Sequence, residues 1–460
     1  MAGQLLLGLS ILIILHELGH FWAARAFGIK VEKFYLFFDA WGFKLFSFTY
    51  NGCEYGIGWL PLGGYVKIAG MIDESMDTEQ LSGPPQPWEF RSKPAWQRLI
   101  VMLGGVTVNI ILGIIIFWVL TFKYGETYTP NDKLPYGIAP GVIGRNIGLQ
   151  VGDKITAING KPVVRFEEIN SSKVILDNST LTIERAGNPV EIKVPESILN
   201  QISDAGPGEF VDARSRLGKV LGVAEPEKES TSLLGKLFKK DTKADYAELY
   251  PAYQAGIREG DSILSVNNKK VTYVDEFTNE VKANVGKKVS VLVLRDGKAL
   301  TFTPTVAKSK TIGVMISRLD LPVDVQKYSL VEALPIGTSK ALGSFADNAK
   351  GLGKVVTGKV KANKAFVGPV GIANLFGAEV NWIKFWGLVG LLSMALALMN
   401  ILPIPALDGG HALFLIIEMI KGKPLGDKFM ERAQIVGFVI LVCLMVFILG
   451  GEVLKYGFNR

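Results

Sequence analysis

Cysteine and histidine are both scarce in this chain of 460 residues. Two cysteines, Cys53 and Cys443, are too few for a disulfide framework or a thiolate zinc site, and the second lies in an apolar run. Charge is thin as well. Charged residues make up 20%, and although the formal net charge is +7 and the pI near 9.0, no basic block interleaved with aromatics occurs, which argues against nucleic acid as a partner. Apolar side chains fill the gap: hydrophobic residues reach 48% and the mean hydropathy is +0.28, which suits neither a disordered chain nor a wholly soluble one. The length implies about two to four folding units, part of them in lipid.

Four stretches have the length and lack of charge that a bilayer core of about 30 Å demands of a helix. They are Leu5 to about Ala24, Leu99 to Phe122, Phe385 to Leu407, and Ile435 to Gly451. The second is uncharged throughout but carries Asn109. No basic residue precedes the first run and no clean small-residue cleavage site follows it, so it reads as a span rather than a cleaved signal peptide. Arg25, Lys30, Lys33, Lys44, Lys67, Arg91, Lys93 and Arg98 lie between the first two spans, and Lys421, Lys423, Lys428 and Arg432 between the last two. Short basic loops stay in the cytoplasm, which sends both chain ends and the long stretch from about Lys123 to Lys384 to the outside.

Inside that stretch the chain repeats itself. Gly148 to Ile169 aligns without gaps to Gly256 to Phe277, with eight of 22 positions identical at a spacing of 108 residues, a domain duplication rather than a solenoid period. Each copy reads as a Gly-Asp turn, an alternating strand (Ile155, Ala157, Ile158; Ile263, Ser265, Val266), an Asn turn and a later strand at Leu181 to Arg185 or Val289 to Leu294. The copies resemble PDZ domains, modules that capture extended peptides or chain ends at a sheet edge. The Ala139-Pro140-Gly141 approach departs from the PDZ pattern, and the first copy reads equally well as a spacer that only occludes. Glu225 to Asp245 reads as a solvated linker.

The first span contains His16, Glu17, Leu18, Gly19 and His20. Residues four apart share a helix face, so both imidazoles can reach one metal while Glu17 touches a water beside it. Ionisable groups in a membrane helix cost about 2.5–3.5 kcal/mol each on insertion scales, so their presence points to function. Catalytic zinc takes three protein ligands and leaves one position open. Asn400 to Leu413 offers two candidates for the third, Asp408 and His411, with Asp408 at matching depth and His411 otherwise packing or orienting a ligand. Pro403 and Pro405 should break the third span and leave backbone groups facing a cavity.

These motifs, with Pro61 to Met71, Val101 to Gly113 and Val367 to Gly377, resemble the site-2 protease family of intramembrane metalloproteases over nearly the whole chain, and within it the bacterial branch of the sigma-E stress response. The resemblance implies zinc held by His16, His20 and Asp408, Glu17 as general base, and a substrate gripped by Asn400, Pro403 and Pro405. It further implies an inner-membrane enzyme that cuts single-pass membrane proteins such as an anti-sigma factor, or remnant signal peptides, after a first extracytoplasmic cut. The PDZ-like pair would then filter substrates by size or recruit them.

The expected fold is an α-helical polytopic membrane protein with four transmembrane helices, a cytoplasmic-side membrane β-hairpin and two tandem PDZ-like domains of mixed α/β type between the second and third helices. Its parts are 1–30, the loop and hairpin at 31–97, a span at 98–123, PDZ-like copies at 124–222 and 223–310, a connecting amphipathic segment at 311–382, and spans at 383–420 and 433–453. The hairpin is expected around Phe37 to Phe43, where similar proteases often carry a Gly-rich turn that this chain lacks. Ser329 to Lys361 has apolar residues near helical spacing, with Pro335 against it, and is expected along the outer membrane face or packed on the PDZ-like pair. A PDZ-based scaffold without catalysis leaves the His-Glu-x-x-His string and the Asp408 motif without a role. A transporter lacks its repeated membrane halves.

Overall fold

The computed structural model describes residues 1–71, 83–171, 174–175, 178–205, 207–224, 250–358, 360, 367–377 and 379–457. The linker expected at Glu225 to Asp245 lies outside the described residues. The chain forms two units, Met1–Glu126 with Gln326–Arg460, and Thr127–Val325.

In the first unit, four helices among the described residues are long and apolar enough to cross a membrane: α1 (Ala2–Ala26), α2 (Ala95–Tyr124), Trp382–Ile401 and Lys428–Glu452. Glycine lets them approach. A Cβ on Gly19 of α1 would strike the Gly104 carbonyl of α2, and one on Gly104 would strike Gly19, so the two backbones touch where the histidines sit. Gly8 packs on Val389, Gly390 on Ile116 and Phe117, and Gly113 on Met394, which draws the third span against α1 and α2. Leu12, Ile116, Phe376, Phe385 and Val389 close the core there.

The third span ends at Ile401, earlier than hydropathy alone suggests, because residues 402–407 leave the helix, with Ala406 at φ +78°. A new helix runs Asp408–Lys421. Gly409 and Gly410 sit against the carbonyls of Ile401 and Ile404, and Gly437 of the last helix sits against Pro405, so two helices pack closely on the break.

Between α1 and α2 stands a sheet of four strands, β1 (Val31–Phe38), β2 (Lys44–Tyr50), β3 (Cys53–Gly58) and β4 (Leu60–Ile68), in the order β2-β3-β1-β4. This replaces the single hairpin expected around Phe37 to Phe43. That stretch does connect β1 to β2, but the two do not pair. Asn51 and Gly52, both at positive φ, turn β3 back antiparallel to β2 and parallel to β1, so β3 lies between them.

The segment after residue 328 forms a helix, Leu330–Val356, capped by Ser329 and Glu332; Pro335 near its start costs it one backbone donor without ending it. It packs along α2. Gly337 lies against the Trp118 backbone, Trp118 Nε1 donates to the Leu330 carbonyl at 2.8 Å, and Lys340 pairs with Glu126 at 2.7 Å.

The second unit holds two larger sheets, each with its own core, and a short pairing of Val211–Ala213 with Ile138–Pro140. The first core contains Leu149, Ile155, Leu181, Ile183 and Phe210, the second Ile257, Ile263, Val266, Phe277 and Val293. Repeated positions do the same work: Leu149 and Ile257 are buried, as are Ile155 and Ile263, and Asn159 and Asn267 take positive φ while their side chains accept the Thr180 and Ser290 N–H groups. Arg216–Val223 runs across the expected division at 222/223, and by its pairing with Val314–Leu319 it belongs to the second sheet.

Candidate metal and catalytic site

Helix spacing puts His16 and His20 on one face of α1, both buried. The break after Ile401 swings Asp408 back to them. His16 Nε2 and His20 Nε2 each lie 3.3 Å from Asp408 Oδ2 and 3.3 Å from each other. Ligand atoms of the three residues fall within 4.8 Å of one another, a set that could hold one cation. Asp408 Oδ2 is buried and no donor is aimed at it. A carboxylate oxygen left in that state is costly unless a cation meets it, so the residues present fit a metal.

Around this centre opens a cavity of about 620 Å³. Its wall includes Glu17, Asn400, His411 and Gln434, with Tyr65 and Lys33 from the sheet. Glu17 follows His16 directly and faces β4, where Gly64 leaves no side chain to collide with Ile13 or the Tyr35 carbonyl. Tyr65 donates to Asp39 at 2.9 Å and Lys33 to the same carboxylate at 3.3 Å. Burial, then the Asp39 carboxylate, pushes the Tyr65 hydroxyl up from its ordinary pKa, so it stays a donor.

The structure thus brings Glu17, His16, His20, Asp408 and Asn400 to one place. Asn400 Nδ2 is 2.9 Å from His16 Nε2. Pro403 and Pro405 shape the break, and the residues of that stretch that line the cavity are Ala406 and Leu407. His411 stands in the wall beside Gln434, which leaves Asp408 as the group in contact with both imidazoles. Two neighbours take a place that the sequence reading did not give them: Asn109 carried no role there, and Gly105 was read only as one of several glycines that leave room for water. Asn109 Nδ2 is 3.0 Å from His16 Nδ1, and Gly105 lies against both rings. The signal for Asn109 was a lone carboxamide in a charge-free span.

Two buried imidazoles, an intervening glutamate and a facing carboxylate among apolar helices define a class, the metallopeptidases that work within a membrane. Comparison with known proteins narrows it. The profile of peptidase family M50 matches residues 4–444. The chain is 29% identical over 466 residues to the regulator of sigma E protease of Haemophilus influenzae, covering 98% of each. It is 30% identical over 458 residues to the regulator of sigma-E protease RseP of Salmonella typhimurium, covering 96% of this chain and 95% of that one. A Xylella fastidiosa chain named as a zinc metalloprotease is 29% identical over 458 residues, 96% of each. The chain belongs to peptidase family M50 and is a site-2-type intramembrane zinc metalloprotease.

Proposed function

We propose that this enzyme cuts the transmembrane segment of single-pass membrane proteins of the anti-sigma-factor type, and remnant signal peptides, as the second of two cuts. The observation that carries this reading is the convergence of His16, His20 and Asp408 on one point among helices apolar enough to span a bilayer. These three residues hold the zinc. When bound, zinc supplies Lewis acidity toward the scissile carbonyl and brings the pKa of water to about 7.

The chain's own residues do the rest. A helical substrate must unwind before hydrolysis, because its peptide groups are internally bonded. The broken segment with Asn400, Pro403 and Pro405 holds the extended stretch, with the Asn400 carboxamide offering partners to freed peptide groups. Glu17 takes a proton from the attacking water and returns it to the leaving amine nitrogen.

In this reading the spans expected at 1–30, 98–123, 383–420 and 433–453 make the catalytic half, and two PDZ-like domains stand between the second and third. Both termini and the PDZ-like pair face the periplasm of a bacterial inner membrane, with the site toward the cytoplasm. The sheet at 31–68 touches lipid. Trp41, Phe43, Leu45 and Tyr50 each expose at least 70% of their surface, an apolar face that water would disfavour. The PDZ-like pair filters substrates by size.

The test is the purified protein in detergent with a single-span substrate, Glu17→Gln beside wild type. The variant should keep its zinc and lose cleavage by about 10²- to 10⁴-fold. Cleavage at the wild-type rate overturns the general-base role, and protein without zinc in both samples overturns the site.

A further inference from the structure

Three residues of α2 spaced four apart, Val101, Gly105 and Asn109, lie on one face and run alongside His20 and His16 of α1. His20 Nδ1 is 2.8 Å from the Val101 carbonyl oxygen. A carbonyl only accepts, so the ring hydrogen of His20 is on Nδ1 and its Nε2 lone pair faces Asp408.

At His16 the equivalent partner is Asn109, which is completely buried. With the carboxamide nitrogen toward His16 Nδ1, the Asn109 oxygen is buried and meets no donor. The ring hydrogen would then sit on Nε2, the nitrogen that faces Asp408. The two ends of a carboxamide have nearly the same shape, and the network around them decides which is which. Turning the carboxamide over gives the oxygen a donor, His16 Nδ1–H, and leaves the Nε2 lone pair toward Asp408. The Asn400 nitrogen, 2.9 Å from His16 Nε2, is a donor aimed at that same lone pair.

We propose that Asn109 is a positioning residue whose carboxamide oxygen accepts the His16 Nδ1–H, so that one face of α2 sets the tautomer of both imidazoles. The inference rests on the reading of His16 as a ligand. A ligand imidazole held by its second nitrogen is oriented and made more basic, and removing such a partner costs about 10- to 100-fold in metal affinity.

Zinc affinity is measured on the full-length protein in detergent by competition with a chelator, so the readout does not depend on cleavage. Asn109→Leu, similar in size but unable to accept, should bind zinc about 10- to 100-fold more weakly. Asn109→Asp, which keeps the acceptor, should restore the affinity, whereas a packing role would favour Leu over Asp. Wild-type affinity in Asn109→Leu overturns the proposal. A second measurement needs no variant at position 109. With only three histidines in the chain, the ring ¹⁵N resonances of the metal-free protein can be assigned one by one and followed to a pH at which they no longer change. The expected spectrum has a protonated-type shift at His16 Nδ1 and a pyridine-type shift at Nε2; the reverse overturns the assignment. His16→Ala separates the two levels. If it keeps full zinc affinity, the ligand reading fails and this inference with it; if it loses zinc while Asn109→Leu does not, only this inference fails.

Discussion

At position 105 a single hydrogen atom stands where any other residue would place a carbon, and that carbon would meet His20 Nε2 and the ring of His16. Gly105→Ala should therefore leave the helix intact, since alanine is the better helix former, but force the imidazoles off their common point. A misplacement near 1 Å costs about 10²-fold in rate, and zinc content should fall alongside cleavage while far-ultraviolet circular dichroism stays unchanged. Full zinc occupancy in that variant would refute the close packing of α2 on the two rings. The contrast with His16, Glu17 and His20 shows what a sequence can carry at this scale. The shared face of His16 and His20, with Glu17 beside it, follows from the helix repeat alone, and Asp408 was picked out as a carboxylate at the depth of the two histidines. Gly105 and Asn109 act only through the register of α2 against α1, a tertiary quantity with no local spacing to reveal it.

Among elements, hydropathy located the four spans but not their ends: α1 and α2 run a few residues past their apolar parts, whereas the third stops short at Ile401. The break after Ile401 was legible from Pro403 and Pro405, whereas the parallel pairing of β1 with β3 was not, since nothing local distinguishes a third strand that inserts from one that extends a hairpin. In the second unit the repeated Gly-Asp turn has a clear physical basis. Asp261 is fully buried, accepts the Arg258 N–H at 2.9 Å and takes the Arg295 guanidinium at 2.6 and 2.7 Å; Asp153 does the same with Gln150 N–H and Arg185. Burial alone would raise the Asp261 pKa, but the Arg295 pair and the Arg258 N–H outweigh it and hold the carboxyl below its ordinary 3.8. A depressed pKa means the ionised form stabilises the fold above the unfolded value, and the contribution disappears as pH falls through the folded one. Calorimetry of the full chain should show the transition of this unit dropping as pH falls below about 4, and Asp261→Asn should lower it at neutral pH by about 3 kcal/mol and flatten the acid dependence. Equal acid sensitivity in variant and wild type would assign the effect to other carboxylates.

For the molecule as a whole, the decisive feature is that the second unit is a single insertion, Thr127–Val325, in a catalytic half built from both ends of the chain. Within that half Gly125 sits directly against the Gln326 backbone, so the chain departs and returns at one point and a short Gly/Ser linker can replace everything between. Inside the insertion, Lys282 pairs with Glu209 and Arg214 with Glu276 at 3.1 Å, ties that join the two sheets into one body rather than two beads on a string. The duplication was visible because both copies keep the Gly-Asp and Asn turns. The extent of each copy was not, since Arg216–Val223 finds its partner strand only at Val314–Leu319. Two sheets tied to each other suit exclusion by size better than the independent grasp of two peptide ends. Replacing 127–325 by the linker should then raise cleavage of substrates that have not received their first cut, while pre-cut substrates remain cleaved in the same detergent assay. If the insertion recruits instead, both substrates go uncut although zinc is still bound, and the filter is wrong.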